Sequence, residues 1–287
     1  MGHLGVMPRL LAACAVAVGG IVAAAAAVSP QRICSVSLAG DEWLWLLVGA
    51  ERVICVSSLA DDATSSHVVG KFPKSIARRI GRFEPVLGEN PDLVIAAPWN
   101  DAQFLKLLER SGIPSLMLQN VTTFEQIFAQ ARQLGARLDR AEAAEAVIAR
   151  MSSTLSEVDK LAAARRTKPT ILALSHAIVA GANTSVDALI RRVGGRNAAA
   201  EAGIEGHKQL SLERILELDP EIVLLGLDEV TSREAWLERY PVLGAMRAVR
   251  TDRVLLLEPR YLSSVTPFLA DGALQLARQL DRLQPAP

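Results

Sequence analysis

The chain has 287 residues, half of them hydrophobic and 22% charged, enough for two ordinary domains and unlike a disordered polyelectrolyte. Lys plus Arg and Asp plus Glu both number 31. Without a basic surplus to neutralise phosphates, nucleic acid is excluded as a partner.

Residues 1–28 read as a targeting segment. Arg9 precedes an apolar run, Leu10 to Val28, that ends in small residues before Ser29-Pro30. That is the layout of a secretory signal peptide; its nineteen residues also approach a bilayer span, so an N-terminal anchor is the alternative. Either places the folded part outside the cytoplasm. Cys34 and Cys55 both fall in apolar runs that read as neighbouring strands. Two buried thiols is the simpler reading; a disulfide is the other, and geometry decides between them.

A strand over Arg32–Ser37 leads through a turn to Asp41, which caps a helix carrying Trp43, Leu44, Leu46 and Leu47 inward. A second strand spans Arg52–Ser57. A polar loop, Ser58–Phe72, precedes a short basic helix over Pro73–Ile80. RFEPVLGENPDLVI, from Arg82 to Ile95, then reads as a helix halted by Pro91 and a buried strand. A helix over Asp101–Ser111 and a strand from Ile113 to Leu118 complete an alternating α/β lobe with a parallel sheet. From about Thr123 to Arg166 no strand signal occurs. After a break near Gly135–Asp139, one helix of about 40 Å is expected over Asp139–Arg165, a strut rather than a flexible linker.

A second lobe begins with a strand over Thr170–Leu174. A loop, Ser175–Thr184, is followed by a helix capped by Ser185 and ended at Gly194-Gly195, and another loop runs from Ala198 to Gln209. SLERILELDPEIVL, from Ser211 to Leu224, then repeats the earlier segment: Glu84 matches Glu213, Pro91 matches Pro220, and Val94 matches Val223. A helix at Ser232–Glu238, a strand at Arg253–Glu258 and a closing helix from Pro267 to Leu283 finish the chain. The expectation is two three-layer α/β lobes with mainly parallel sheets, residues 31–136 and 168–287, joined by a rigid helix within residues 137–167.

RICSVSLAGDEWLWLL, FEPVLGENPDLVI, GANTSVDALIRRVGGRNAA and QLSLERILELDPEIVLL, in this order and at these intervals, resemble the extracytoplasmic solute-binding proteins of ABC importers for cobalamin, haem and iron–siderophore complexes. The resemblance covers nearly all of the chain after residue 30. It implies a monomeric, periplasmic protein without intrinsic cofactor, which holds a corrinoid, haem or ferric siderophore between its lobes and delivers it to an inner-membrane permease. It also implies that Glu84 and Glu213 dock onto permease arginines. Taken alone, each glutamate sits in a first helical turn, where it also favours the macrodipole.

Ligand contacts are expected from loops at strand ends. In the first lobe the candidates are Ser37, Asp41, Ser58, Arg82, Trp99 and Asn100; in the second they are His176, Asn183, His207, Lys208, Arg260 and Tyr261. Trp99 follows a strand and Pro98, where a core role is awkward, and an indole suits a flat macrocycle. Rival readings are a receptor for bare zinc or manganese, or a sensor or adaptor domain of the same fold. Zinc would need three or four converging ligands, and His67 is the first lobe's only histidine, in mid-loop. An axial haem ligand from His176 or His207 is also open. Gly-x-Ser-x-Gly, His-Glu-x-x-His and Gly-x-x-x-x-Gly-Lys motifs do not occur, so no enzyme is expected.

Overall fold

Short apolar runs bounded by helix caps and prolines assemble into two sheets. The computed structural model describes residues 29–79, 81–226, 232–262 and 264–283, and Met1; the expected leader lies outside the described residues. The first lobe runs β1 (Ile33–Ser35), α1 (Leu38–Leu47), β2 (Val53–Ser57), β3 (Ala77–Arg79), α2 (Phe83–Gly88), β4 (Leu93–Ala96), α3 (Ala102–Ser111) and β5 (Ser115–Met117). Its strands lie in the order β3-β2-β1-β4-β5, all parallel. The central strands β1 and β4 are wholly buried, as unbroken apolar runs in a covered parallel sheet should be.

Three local expectations are corrected here. The basic stretch is no helix: Ala77–Arg79 extends along the edge beside β2. Arg78 fixes it by donating to the Asp61 carboxylate and to the carbonyls of Phe72, Pro73 and Ile76. α1 is capped not by Asp41 but by Ser37, whose Oγ accepts from the Gly40 amide at 3.2 Å, and Asp41 falls in the buried first turn. Only glycine fits at position 40, because a Cβ there would lie 2.5 Å from Ser35 Oγ. Thirdly, Cys34 and Cys55 are not two separate buried thiols. They stand opposite each other on adjacent strands and form a disulfide, with Cα atoms 4.6 Å apart.

Behind the sheet, α4 (Phe124–Leu138) starts from a capping box of Thr123 and Gln126 and stops at Asp139, whose φ is 55°. α5 (Ala141–Ala164) follows; its 24 residues span about 36 Å. Ala144, Val147, Ile148, Met151, Leu155 and Val158 form its buried stripe, which joins one core continuous between the lobes. Arg52 closes the rear of the first lobe, donating to Ser29 Oγ at 2.5 Å, the Pro30 carbonyl at 3.0 Å and the Leu138 carbonyl at 2.8 Å.

The second lobe contains β6 (Thr170–Ser175), β7 (Ile178–Ala180), α6 (Ser185–Arg192), β8 (Arg196–Asn197), α7 (Ala198–Glu201), β9 (His207–Gln209), α8 (Leu212–Leu218) and β10 (Ile222–Gly226). It ends with α9 (Arg233–Arg239), α10 (Arg247–Arg250), β11 (Val254–Leu257), α11 (Pro259–Leu262) and α12 (Phe268–Arg282). The strand order is β11-β10-β6-β7-β9, with β8 beside the start of β6. β11, β10 and β6 are parallel. β7 and β9 add antiparallel strands in the two stretches read as loops. Thr184, not Ser185, caps α6. The architecture is therefore two α/β lobes with mainly parallel sheets bridged by a long helix. The repeated segment forms α2–β4 in one lobe and α8–β10 in the other.

Candidate functional site

In the first lobe the loops after β1, β2, β4 and β5 all emerge at the same end of the sheet. Leu38 and Ala39 follow β1, Leu59 follows β2, Trp99 follows β4 and Asn120 follows β5. Across from them, α11 and the segment after it bring Arg260, Ser264 and Val265 from the second lobe. Together these enclose an inter-lobe cavity of about 340 Å³. Trp99 is 50% exposed at its rim. Arg260 is the cation of the lining; it pairs with Glu258 and lies 5.6 Å from the Tyr261 ring. The cavity thus offers apolar walls, one aromatic plate and one guanidinium, which suits a flat apolar body carrying anionic groups.

The floor is polar and buried. Glu42, the fifth residue of α1, accepts from Thr266 Oγ1 of the other lobe at 2.7 Å and from the His67 amide at 3.2 Å. Burial pushes its carboxyl up to about 7 against those two hydrogen bonds. Its neighbour Asp41 is pushed up to about 6, again by burial, although the Ser57 hydroxyl at 2.5 Å and the Ser57 amide at 3.0 Å donate to it. The His67 ring is stacked at 4.2 Å on Phe268 and tilted at 4.7 Å against Tyr261, and its Nε2 donates to the Arg260 carbonyl at 3.1 Å. Burial lowers its pKa to about 4, so the ring is neutral. Gly272 admits this packing, since a Cβ there would lie 2.8 Å from Tyr261 Cβ.

Of the twelve expected contact residues, Trp99 and Arg260 line this cavity, and Tyr261 stands behind it against His67. Asn100 is half-buried and ties two loops, accepting from the Ala97 amide and donating to the Val36 carbonyl. Ser37 and Asp41 are buried beneath the wall, serving α1 and Ser57. Ser58 and Arg82 are exposed at the first residue of a 3-10 turn and the N-cap of α2. His207 lines a smaller cavity of about 150 Å³ with Ser175, Ile178, Pro259 and Leu262, on the other side of α11. Lys208 is exposed beside it on β9. His176 takes a positive φ of 57° after β6. Asn183, with φ 60°, faces a separate groove against the start of α4. Glu84 and Glu213 are exposed in the first turns of α2 and α8. Among the described residues no group of three or more His, Cys, Asp or Glu side chains is placed to hold a metal ion. No helix among them is long and apolar enough to cross a membrane.

Sequence reasoning did not place Glu42, Thr266 or the lining residues Ser65, Asn120, Ser264 and Val265 at the site, and it weighed His67 only as a metal ligand. The available signal was two adjacent acids, Asp41 and Glu42, on a helix otherwise full of Trp and Leu, where burial was to be expected.

Residues 33–261 match the family described as periplasmic binding protein. A cobalamin-binding protein from Halobacterium salinarum is 24% identical over 260 residues, 86% of this chain and 69% of the relative. The fold superposes on a periplasmic haem-binding protein from Roseiflexus sp. RS-1 in apo form with a TM-score of 0.75 and 26% identity, covering 86% of this chain and 97% of that one. It superposes equally on a periplasmic haem-binding protein from Pseudomonas aeruginosa, with a TM-score of 0.75 and 27% identity over 90% of this chain and 95% of the other.

Proposed function

The chain belongs to the periplasmic binding protein family, and on that premise we propose that it captures a metal chelate or tetrapyrrole between its lobes and delivers it to an ABC permease. The observation that carries this is the inter-lobe cavity itself, with Trp99 on one side and Arg260 on the other. A planar macrocycle stacks on an indole, and a guanidinium meets carboxylate or other anionic substituents. Haem meets both parts of that description; a corrinoid supplies the macrocycle, and a ferric siderophore the negative charge. The lobes at residues 31–136 and 168–287 are the moving parts, and the helix between them limits closure to small shifts. Glu84 and Glu213, each exposed at the start of an equivalent helix, are the two points that meet the permease.

The test is an absorption spectrum of protein purified from its native compartment, then a thermal-shift screen with haemin, cyanocobalamin and ferric siderophores. A ligand at a hundred times its Kd should stabilise by about 2.7 kcal/mol. A shift with zinc or manganese and none with the chelates would overturn the proposal.

A further inference from the structure

The two lobes meet directly at the floor of the cleft, apart from the helix that joins them. Glu42 of α1 bonds Thr266, just before α12, across 224 positions of sequence. Thr266 Oγ1 is also 3.0 Å from Ser264 Oγ, and Ser264 lines the cavity, as Glu42 does. Beside them His67 reaches from the first lobe into the slot between Tyr261 and Phe268 and bonds the backbone of Arg260. The cavity wall and the inter-lobe contact therefore share residues.

We propose that Glu42 is a positioning residue: as a neutral acid it bolts the lobes at the spacing that grips ligand, and as a carboxylate it loosens the bolt. In its effect on ligand this rests on the function proposed above; the bolt itself does not. Thr266 Oγ1 donates to Oε2 of a carboxylate. With the carboxyl protonated the bond reverses: the acid donates to Thr266 Oγ1, which passes its own hydrogen to Ser264, while Oε1 still accepts from His67. A carboxylate in the same place has one hydroxyl and one amide for company. No ion pair reaches it among the described residues.

The charged and titratable groups around it do not change that balance. Asp41, next to it on α1, is itself buried and raises the cost of a second charge. His67, from the loop opposite, presents its amide to Glu42 and keeps a neutral ring. Arg260 of α11 is engaged by Glu258. Arg150 of α5 lies over the Phe268 ring, and Asp271 of α12 is raised by burial. Ionisation is thus relieved most directly by admitting water, which means parting Glu42 from Thr266. The midpoint falls near the value of about 7 that burial gives Glu42.

Two arms test this, each comparing wild type with Glu42→Gln and Thr266→Val. Glutamine keeps the shape, and its amide can donate to Thr266 while its oxygen accepts from His67. In the first arm, ligand-free protein is treated with diethyl pyrocarbonate between pH 6.5 and 8.5, and modification of the His67 peptide is followed by mass spectrometry. Wild type should show a rate that rises several-fold beyond that of a free histidine control; Glu42→Gln should track the control, and Thr266→Val should react fast throughout. In the second arm, haemin and cyanocobalamin are titrated at pH 6 and pH 8. Wild-type affinity should fall by up to tenfold per pH unit above about 7, as one linked proton allows, and the Glu42→Gln ratio should stay within about threefold. If neither compound binds, the ligand reading fails and the first arm still decides the bolt. Superimposable His67 profiles for wild type and Glu42→Gln would overturn the proposal.

Discussion

The Cys34–Cys55 disulfide should be worth several kilocalories to the first lobe. The two cysteines are 21 positions apart and join neighbouring central strands, both side chains fully buried. Closing a loop of that length removes denatured-state entropy worth about 3.3 kcal/mol at 25 °C on the chain-entropy account. Reduction alone should therefore cost about that much. The Cys34→Ala/Cys55→Ala double variant should cost about 1 kcal/mol more for each deleted sulfur, the price of a methyl-sized gap in a close-packed layer. With a urea slope of roughly 2–3 kcal/mol/M, the reduced protein should unfold about 1–2 M earlier than the oxidised one. The assay is equilibrium urea unfolding with and without reductant, with thiol alkylation and mass spectrometry to establish the redox state. The double variant should be indifferent to reductant. Equal midpoints for oxidised and verifiably reduced wild type would refute the reasoning, because the bond would then not constrain the unfolded chain.

Trp99→Ala should weaken haemin or cyanocobalamin binding by roughly 10–100-fold in an absorbance titration while leaving the melting temperature nearly unchanged, since half of that side chain is exposed. Glu84→Ala/Glu213→Ala should abolish ligand uptake in a transport assay with affinity within twofold of wild type; a parallel loss of affinity would remove the docking role. Gly40→Ala should destabilise by about 1–3 kcal/mol in urea, because its Cβ would press on Ser35 Oγ at 2.5 Å. Stability should also depend on pH with a definite sign. Asp41 and Glu42 hold their protons more tightly when folded, so their contribution is present below pH 4 and is lost as pH rises through about 6 and about 7. His67 acts oppositely, its folded value lowered to about 4, so it adds stability as pH rises from there to about 6.5. His67→Gln should accordingly steepen the fall in wild-type stability between pH 4 and 7, measured by urea unfolding across that range; a shallower fall would contradict the assignment.

How much of this was legible in the sequence follows from the range of the forces involved. α2–β4 and α8–β10 were readable because a helical stripe, a proline and an apolar run are local signals, and their repetition 129 positions apart told of two similar lobes. α5 was readable because nothing in it breaks a helix. β3, β7 and β9 were not, because Ala77–Arg79, Ile178–Ala180 and His207–Gln209 carry no alternating apolar pattern. They are extended because a neighbouring strand offers its edge. In the same way Trp99 could be picked from its place after a strand and a proline. For Glu42 the Trp- and Leu-rich helix signalled burial but not the role: only the folded chain brings Thr266 to it. Asn100 and Asp41 misled for a related reason. Loop polar residues serve the backbone around them as readily as a ligand.

The Arg52 clamp has a bearing on how the molecule is presented to its surroundings. Ser29 and Pro30 are fastened to the end of α4, at the foot of β1, whereas the cavity opens where the parallel strands finish. Ser29 and Pro30 are thus held at the back of the lobe, at the opposite end of the sheet from the mouth.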